Sequence, residues 1–195
     1  MASTLCTMTA SAIRVASNPV NLLAVREAIH VVVMGVAGCG KSAVAQHIAE
    51  RLGLALIEGD SFHSSGNIAK MHNGVALTDE DRAGWLSALG TELRKHPGGA
   101  VLTCSALRAS YRHTLRCGAP LLRFVHLSIT QATALQRVAN RPGHFYPPSL
   151  VASQFEALQD PRGEPGVMVL DGTLPLAALA LLAAQWLEQP LNLNL

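Results

Sequence analysis

Apolar residues along this chain gather into short continuous runs separated by longer stretches with helical spacing. The runs are Ile29–Met34, Ala55–Glu58, Ala100–Cys104, Leu121–Leu127 and Val167–Leu170. Most are apolar throughout rather than at alternate positions, which predicts parallel strands covered on both faces. Helices are expected over Ser42–Leu52, from Thr78 to about Lys95, after Ser105 to about Arg116, from Thr130 to about Arg141, over Ser149–Leu158 and over Leu174–Leu187. Thr78 suits an N-cap, and Asp79 and Glu80 follow in the first turn, where the helix dipole favours acids. His96-Pro97-Gly98-Gly99 breaks that helix, and Pro142–Pro148 interrupts a later one. Ser61–Gly74 is polar and carries His63, Lys70 and His72; no element is assigned to it. Strands alternating with helices predict an α/β domain, a five-stranded parallel sheet with helices on both faces. Ligands of such sheets bind at the carboxyl ends of the strands, so the residues just after each strand are the ones to inspect.

The first of those places carries a phosphate-binding pattern. Gly35-Val36-Ala37-Gly38-Cys39-Gly40-Lys41-Ser42 is Gly-x4-Gly-Lys-Ser, set between a strand and a helix. Its glycines let backbone N–H groups close around phosphate oxygens, and the helix N-terminus adds partial positive charge. Lys41 is expected to reach the β- and γ-phosphates, and Ser42 to ligate Mg²⁺. Fold class is therefore narrowed to the P-loop NTPase fold. Asp60 follows the second strand and faces the same cleft; its carboxylate is placed to orient or deprotonate an attacking hydroxyl. The alternative is an N-cap for residues 61–64. Glu58 holds Mg²⁺ through water or else ends in the strand. Arg137 and Arg141, four apart on one helical face, precede Pro142-Gly143-His144-Phe145 and are expected to cover ATP from a small lid at about 141–150.

Composition narrows the partners. The 195 residues suit one domain, here 29–189, with 190–195 as a tail. Residues 1–28 are rich in Ser, Thr and Ala and are expected to be a disordered extension, with a targeting signal or a mis-assigned start as alternatives. A net charge of +2 and the lack of a dense basic run argue against nucleic acid. No apolar stretch reaches the ~18 residues of a membrane span. Cys6, Cys39, Cys104 and Cys117 form no C-x-x-C pair, which fits a reduced, cytoplasmic protein. Cys39, inside the loop beside Lys41, is either a reactive thiolate or a small spacer pointing away.

The series then becomes specific. Gly35–Ser42; Glu58-Gly59-Asp60 with His63 and Asn67-x-x-Lys70-Met71; Leu77-Thr78-Asp79-Glu80-Asp81-Arg82-x-x-Trp85-Leu86; Cys104-Ser105-Ala106-Leu107-Arg108-x-x-Tyr111-Arg112; Gly143-His144-Phe145; and Gln154-Phe155-Glu156-x-Leu158-Gln159, in that order, resemble the thermoresistant gluconokinase family over about residues 29–189. The resemblance implies ATP- and Mg²⁺-dependent phosphorylation of D-gluconate at its 6-hydroxyl, a fold like that of shikimate and adenylate kinases, and action alone or as a homodimer. Gluconate carries one carboxylate and five hydroxyls, so a cationic anchor is needed: Arg82, Arg112, Lys70 and Arg108 are the candidates, with His63 and His144 as hydroxyl partners. Trp85 and Met71 read as core. Three departures stand out: Ser64 where the family commonly has Pro, Arg108 where it has Lys, and Cys39 where it often has Ser.

Overall fold

A computed structural model of the chain describes residues 28–140, 147 and 149–190. Five strands, β1 (Ile29–Met34), β2 (Ala55–Glu58), β3 (Gly99–Thr103), β4 (Arg123–Ser128) and β5 (Val167–Asp171), form one sheet in the order β2-β3-β1-β4-β5. All neighbouring pairs are parallel. The helices are α1 (Lys41–Leu52), α2 (Ser65–His72), α3 (Asp79–Arg94), α4 (Ala109–Gly118), α5 (Gln131–Ala139), α6 (Ser149–Ala157) and α7 (Leu176–Leu187), with a 3₁₀ turn over Gly59–Phe62.

The pleat of β1 divides the core. Val31 and Val33 face a cluster built with Val44 and Ile48 of α1 and Leu179, Ala183 and Leu187 of α7. Val32 and Met34 face the opposite cluster, with Trp85, Leu86, Leu89 and Leu93 of α3 and Tyr111 and Leu115 of α4. Both faces of the central strand are thus dry, which is why it reads as an unbroken apolar run. The expected two-sided parallel sheet is the one observed.

Differences from the sequence expectation sit at element ends and in one polar segment. Ser61–Gly74 holds the 3₁₀ turn and α2, whose N-cap Ser64 accepts from Asn67 N at 3.2 Å. The fourth strand starts at Arg123 because Leu121 is exposed and lies outside the sheet. Helix α4 starts at Ala109, since Cys104–Arg108 form a loop in which Ala106 adopts φ +44. Thr78 is the N-cap of α3 and makes a reciprocal capping box with Asp81.

Candidate active site

The phosphate loop leaves β1 and enters α1. Gly35, Gly38 and Gly40 have φ of +138, +78 and +99, conformations in which an L side chain is strained, so the loop's path depends on glycine. Lys41 Nζ lies back across the loop, donating to the carbonyls of Gly35 and Val36, each at 3.1 Å. A cavity of about 1100 Å³ opens beside it, at the carboxyl ends of the strands. Loop residues Ala37, Gly38, Gly40, Lys41 and Ser42 line one part of its wall; Asp60, His63, Met71, Arg82 and Trp85 line another. Such a space admits a nucleotide and a small acceptor together.

Next to Lys41, Ser42 Oγ donates to Glu58 Oε2 at 3.2 Å, and Thr103 Oγ1 donates to the same oxygen at 2.7 Å. Glu58 ends β2, one of the two alternatives, and turns its carboxylate to the Ser42 hydroxyl. The hydroxyl and carboxylate oxygens are the hard donors a Mg²⁺ ion prefers. Among the described residues no group of three His, Cys, Asp or Glu forms a metal cage.

On the other wall, Asp60 sits in the 3₁₀ turn that continues β2. Trp85 Nε1 donates to Gly59 O at 2.8 Å, and the Trp85 ring stacks on His63 with centroids 4.2 Å apart. Burial pushes the His63 imidazole below its ordinary pKa; Asp60 pulls the other way and Arg82 adds to the lowering. The neutral form of His63 is thus favoured, and among the described residues its buried Nδ1 has no partner. Trp85 and Met71 were expected in the core. Trp85 is buried, but both also stand in the cavity wall.

The four cationic candidates separate. Arg82 lines the cavity, with Nη1 donating to Leu77 O and, at 3.3 Å, to Thr78 O. Lys70 pairs with Asp81 and Arg108 with Asp79, both at 2.6 Å and outside the cavity wall. Arg112 does not meet its expectation as an anchor. It is fully buried, donating to the carboxylate of Glu164 and to the carbonyls of Ala106, Leu107 and Gln159. That guanidinium, in turn, holds the Glu164 carboxyl below its usual range.

Arg137 lines the cavity beside the phosphate loop, donating to Gly172 O at 3.0 Å and Gly38 O at 3.4 Å. Arg141 and His144 lie outside the described residues. Cys39 is buried among Val36, Val44 and Val33, and burial pushes its thiol up against the opposing pull of Lys41. The reactive-thiolate reading therefore gives way to the spacer reading. Ser105, just after the third strand, lines the cavity as the strand-end rule expects; sequence reasoning did not name Gln136, Asn140 and Gln154 as site residues, though all three line it too. Only the family pattern included Gln154; a lone polar residue on a helix gives no sign of which way it will face.

A phosphate loop on a 2-3-1-4-5 parallel sheet, with a carboxylate, a neutral imidazole and a guanidinium across one cavity, defines a P-loop kinase of the small-molecule type. Residues 31–165 match a family model described as an AAA domain. Gluconokinase of Gluconobacter oxydans (strain 621H) is 44% identical over 144 residues, which cover 72% of this chain and 81% of that one. Thermoresistant gluconokinase of Escherichia coli (strain K12) is 40% identical over 149 residues, covering 74% and 85%. The chain belongs to the gluconokinase family. Among solved structures, a gluconokinase from Sinorhizobium meliloti 1021 is 45% identical with a TM-score of 0.76, covering 83% of this chain and 93% of that chain. Shikimate kinase from Aquifex aeolicus vf5, at 15% identity and a TM-score of 0.55 over 82% and 96%, shares the fold.

Proposed function

We propose that this kinase transfers the γ-phosphoryl group of ATP to the 6-hydroxyl of D-gluconate. The observation that carries the reading is the shared cavity: Lys41 and the loop amides on one wall, Asp60, His63 and Arg82 on the other. Loop N–H groups and the Lys41 ammonium hold the β- and γ-phosphates and offset charge as the transferred group loosens. Lys41 leaves its two carbonyl partners to do so. Asp60 accepts the proton of the attacking hydroxyl or aligns it. Arg82 pairs with the sugar-acid carboxylate, and neutral His63, in the cavity wall, serves a hydroxyl. Arg137, with Arg141, covers the nucleotide. Mg²⁺, when held by Ser42 with Glu58 behind it, supplies further positive charge to the phosphates.

The acceptor assignment is tested by ADP release with gluconate, shikimate, glycerate and AMP. Gluconate is expected to exceed each of the others by at least ~10²-fold in kcat/KM, since a site built for several hydroxyls leaves groups unpaired with a poorer acceptor. Preference for another acceptor overturns it. Lys41→Ala is the matching control and is expected to lose at least ~10²-fold in kcat while keeping the fold.

A further inference from the structure

Helix α6 carries a residue whose side chain reaches 117 positions back along the chain: Ala37 N donates to Gln154 Oε1 at 2.6 Å. A backbone N–H only donates, so the atom facing it is the amide oxygen, and Nε2 with its two hydrogens turns elsewhere. Gln154 lines the cavity together with Ala37 and Arg137. Its own place is fixed from below, because Val151 is fully buried and Phe155 and Leu158 pack on the same cluster as Val36 and Cys39 of the loop.

The neighbouring bonds show why Ala37 needs an external acceptor. Lys41 Nζ takes the carbonyls of Gly35 and Val36, and Cys39 N takes Val36 O at 3.3 Å. These contacts bind loop carbonyls and leave the Ala37 amide without an acceptor inside the loop. A loop held by glycines at positive φ has many alternative paths, and each lost constraint lets its amides turn away from the phosphates.

We propose that Gln154 is a positioning residue: its carboxamide holds the Ala37 amide and so keeps the phosphate loop in its nucleotide-binding shape. The proposal rests on residues 35–42 being the nucleotide-phosphate site. A second glutamine, five residues on, makes an equivalent bond elsewhere. Gln159 Oε1 accepts from Ala109 N at 2.7 Å, at the start of α4 and away from the loop. It supplies an internal control.

Gln154→Met keeps the length and bulk of the side chain but removes the strong acceptor. Three readouts apply: ADP affinity by calorimetry, KM for ATP against KM for gluconate, and hydrogen–deuterium exchange of the segment 35–40 without nucleotide. Loss of one hydrogen bond predicts a ~5–10-fold weaker ADP affinity and a similar rise in KM for ATP. KM for gluconate stays within about twofold, and exchange quickens in 35–40. Gln159→Met leaves ADP affinity within about twofold. Exchange in 35–40 that matches the parent overturns the proposal, whatever the activity shows. So does a rise of both KM values together, or an equal loss of ADP affinity in Gln159→Met. Exchange needs no acceptor substrate, so failure of the gluconate assignment leaves this test standing.

Discussion

At the scale of single residues, the proposed mechanism separates groups that would touch substrate from groups that hold other groups. Asp60 and Arg82 share the cavity but are given different tasks, so their variants should fail differently. Asp60→Asn keeps a hydrogen-bonding group and loses the proton acceptor; kcat is expected to fall by ~10²–10⁴ with KM for ATP nearly unchanged. Arg82→Ala removes a charge-assisted contact worth ~2–5 kcal/mol when desolvated, so KM for gluconate should rise at least ~30-fold while KM for ATP moves little. Steady-state kinetics with each substrate varied checks both; a collapse of ATP binding in Asp60→Asn would move that residue to the nucleotide side. Cysteine chemistry gives a third residue-level expectation. Cys39 and Cys104 are buried, with burial pushing Cys104 up to about 12, whereas Cys117 is exposed. Among these three, Cys117 should be alkylated first, with activity retained, as peptide mass spectrometry will read. Loss of activity that tracks Cys39 modification and is blocked by ATP would restore the reactive-thiolate reading.

At the scale of elements, what the sequence made legible follows from how each element earns its place. β1 and α1 were readable because a dry run and a glycine loop leading into a helix each obey local rules. Thr78 announced α3 by its own side chain. α2 escaped because it is 8 residues long and mostly exposed, with Asn67 its one buried residue. Such a helix is stabilised by its cap and by Asn67 Nδ2 donating to Asp81 O at 2.8 Å, and that contact is tertiary. Arg112 was misread for a related reason. Its charge is visible in the sequence, but its partner Glu164 lies 52 residues on. Close helix contact is equally hidden. Gly90 of α3 meets Gly118 of α4 so tightly that a Cβ on Gly118 would lie 2.6 Å from the Gly90 Cα. Gly118→Ala should therefore force the two helices apart and cost ~1–3 kcal/mol, as overpacking does. Urea denaturation checks it; an unchanged midpoint would show that the contact gives way freely.

For the whole molecule, pH and product are the deciding readouts. His126 on β4 is buried beside Gly35 of the phosphate loop, with Nδ1 unpartnered among the described residues and its imidazole driven down to about 4 by burial. Asp160 pulls it up, while Arg112 and Arg162 push it further down. Unfolded chain takes the proton near pH 6.5 and the native state only near 4, so stability is full above 6.5 and declines as pH falls towards 4. Between pH 7.5 and 5.0 the parent should lose about 2 kcal/mol more than His126→Phe in denaturant midpoints converted to free energy. Equal losses would mean that His126 is protonated in the native state. The most direct measurement is of the reaction product. Purified protein is incubated with Mg-ATP and D-gluconate, ADP is counted, and the phosphorylated product is analysed by ³¹P NMR and mass spectrometry. The expected result is one phosphomonoester on the terminal primary hydroxyl per ADP formed, absent in Lys41→Ala. ADP formation that is indifferent to gluconate, or phosphate at another oxygen, would contradict the assignment.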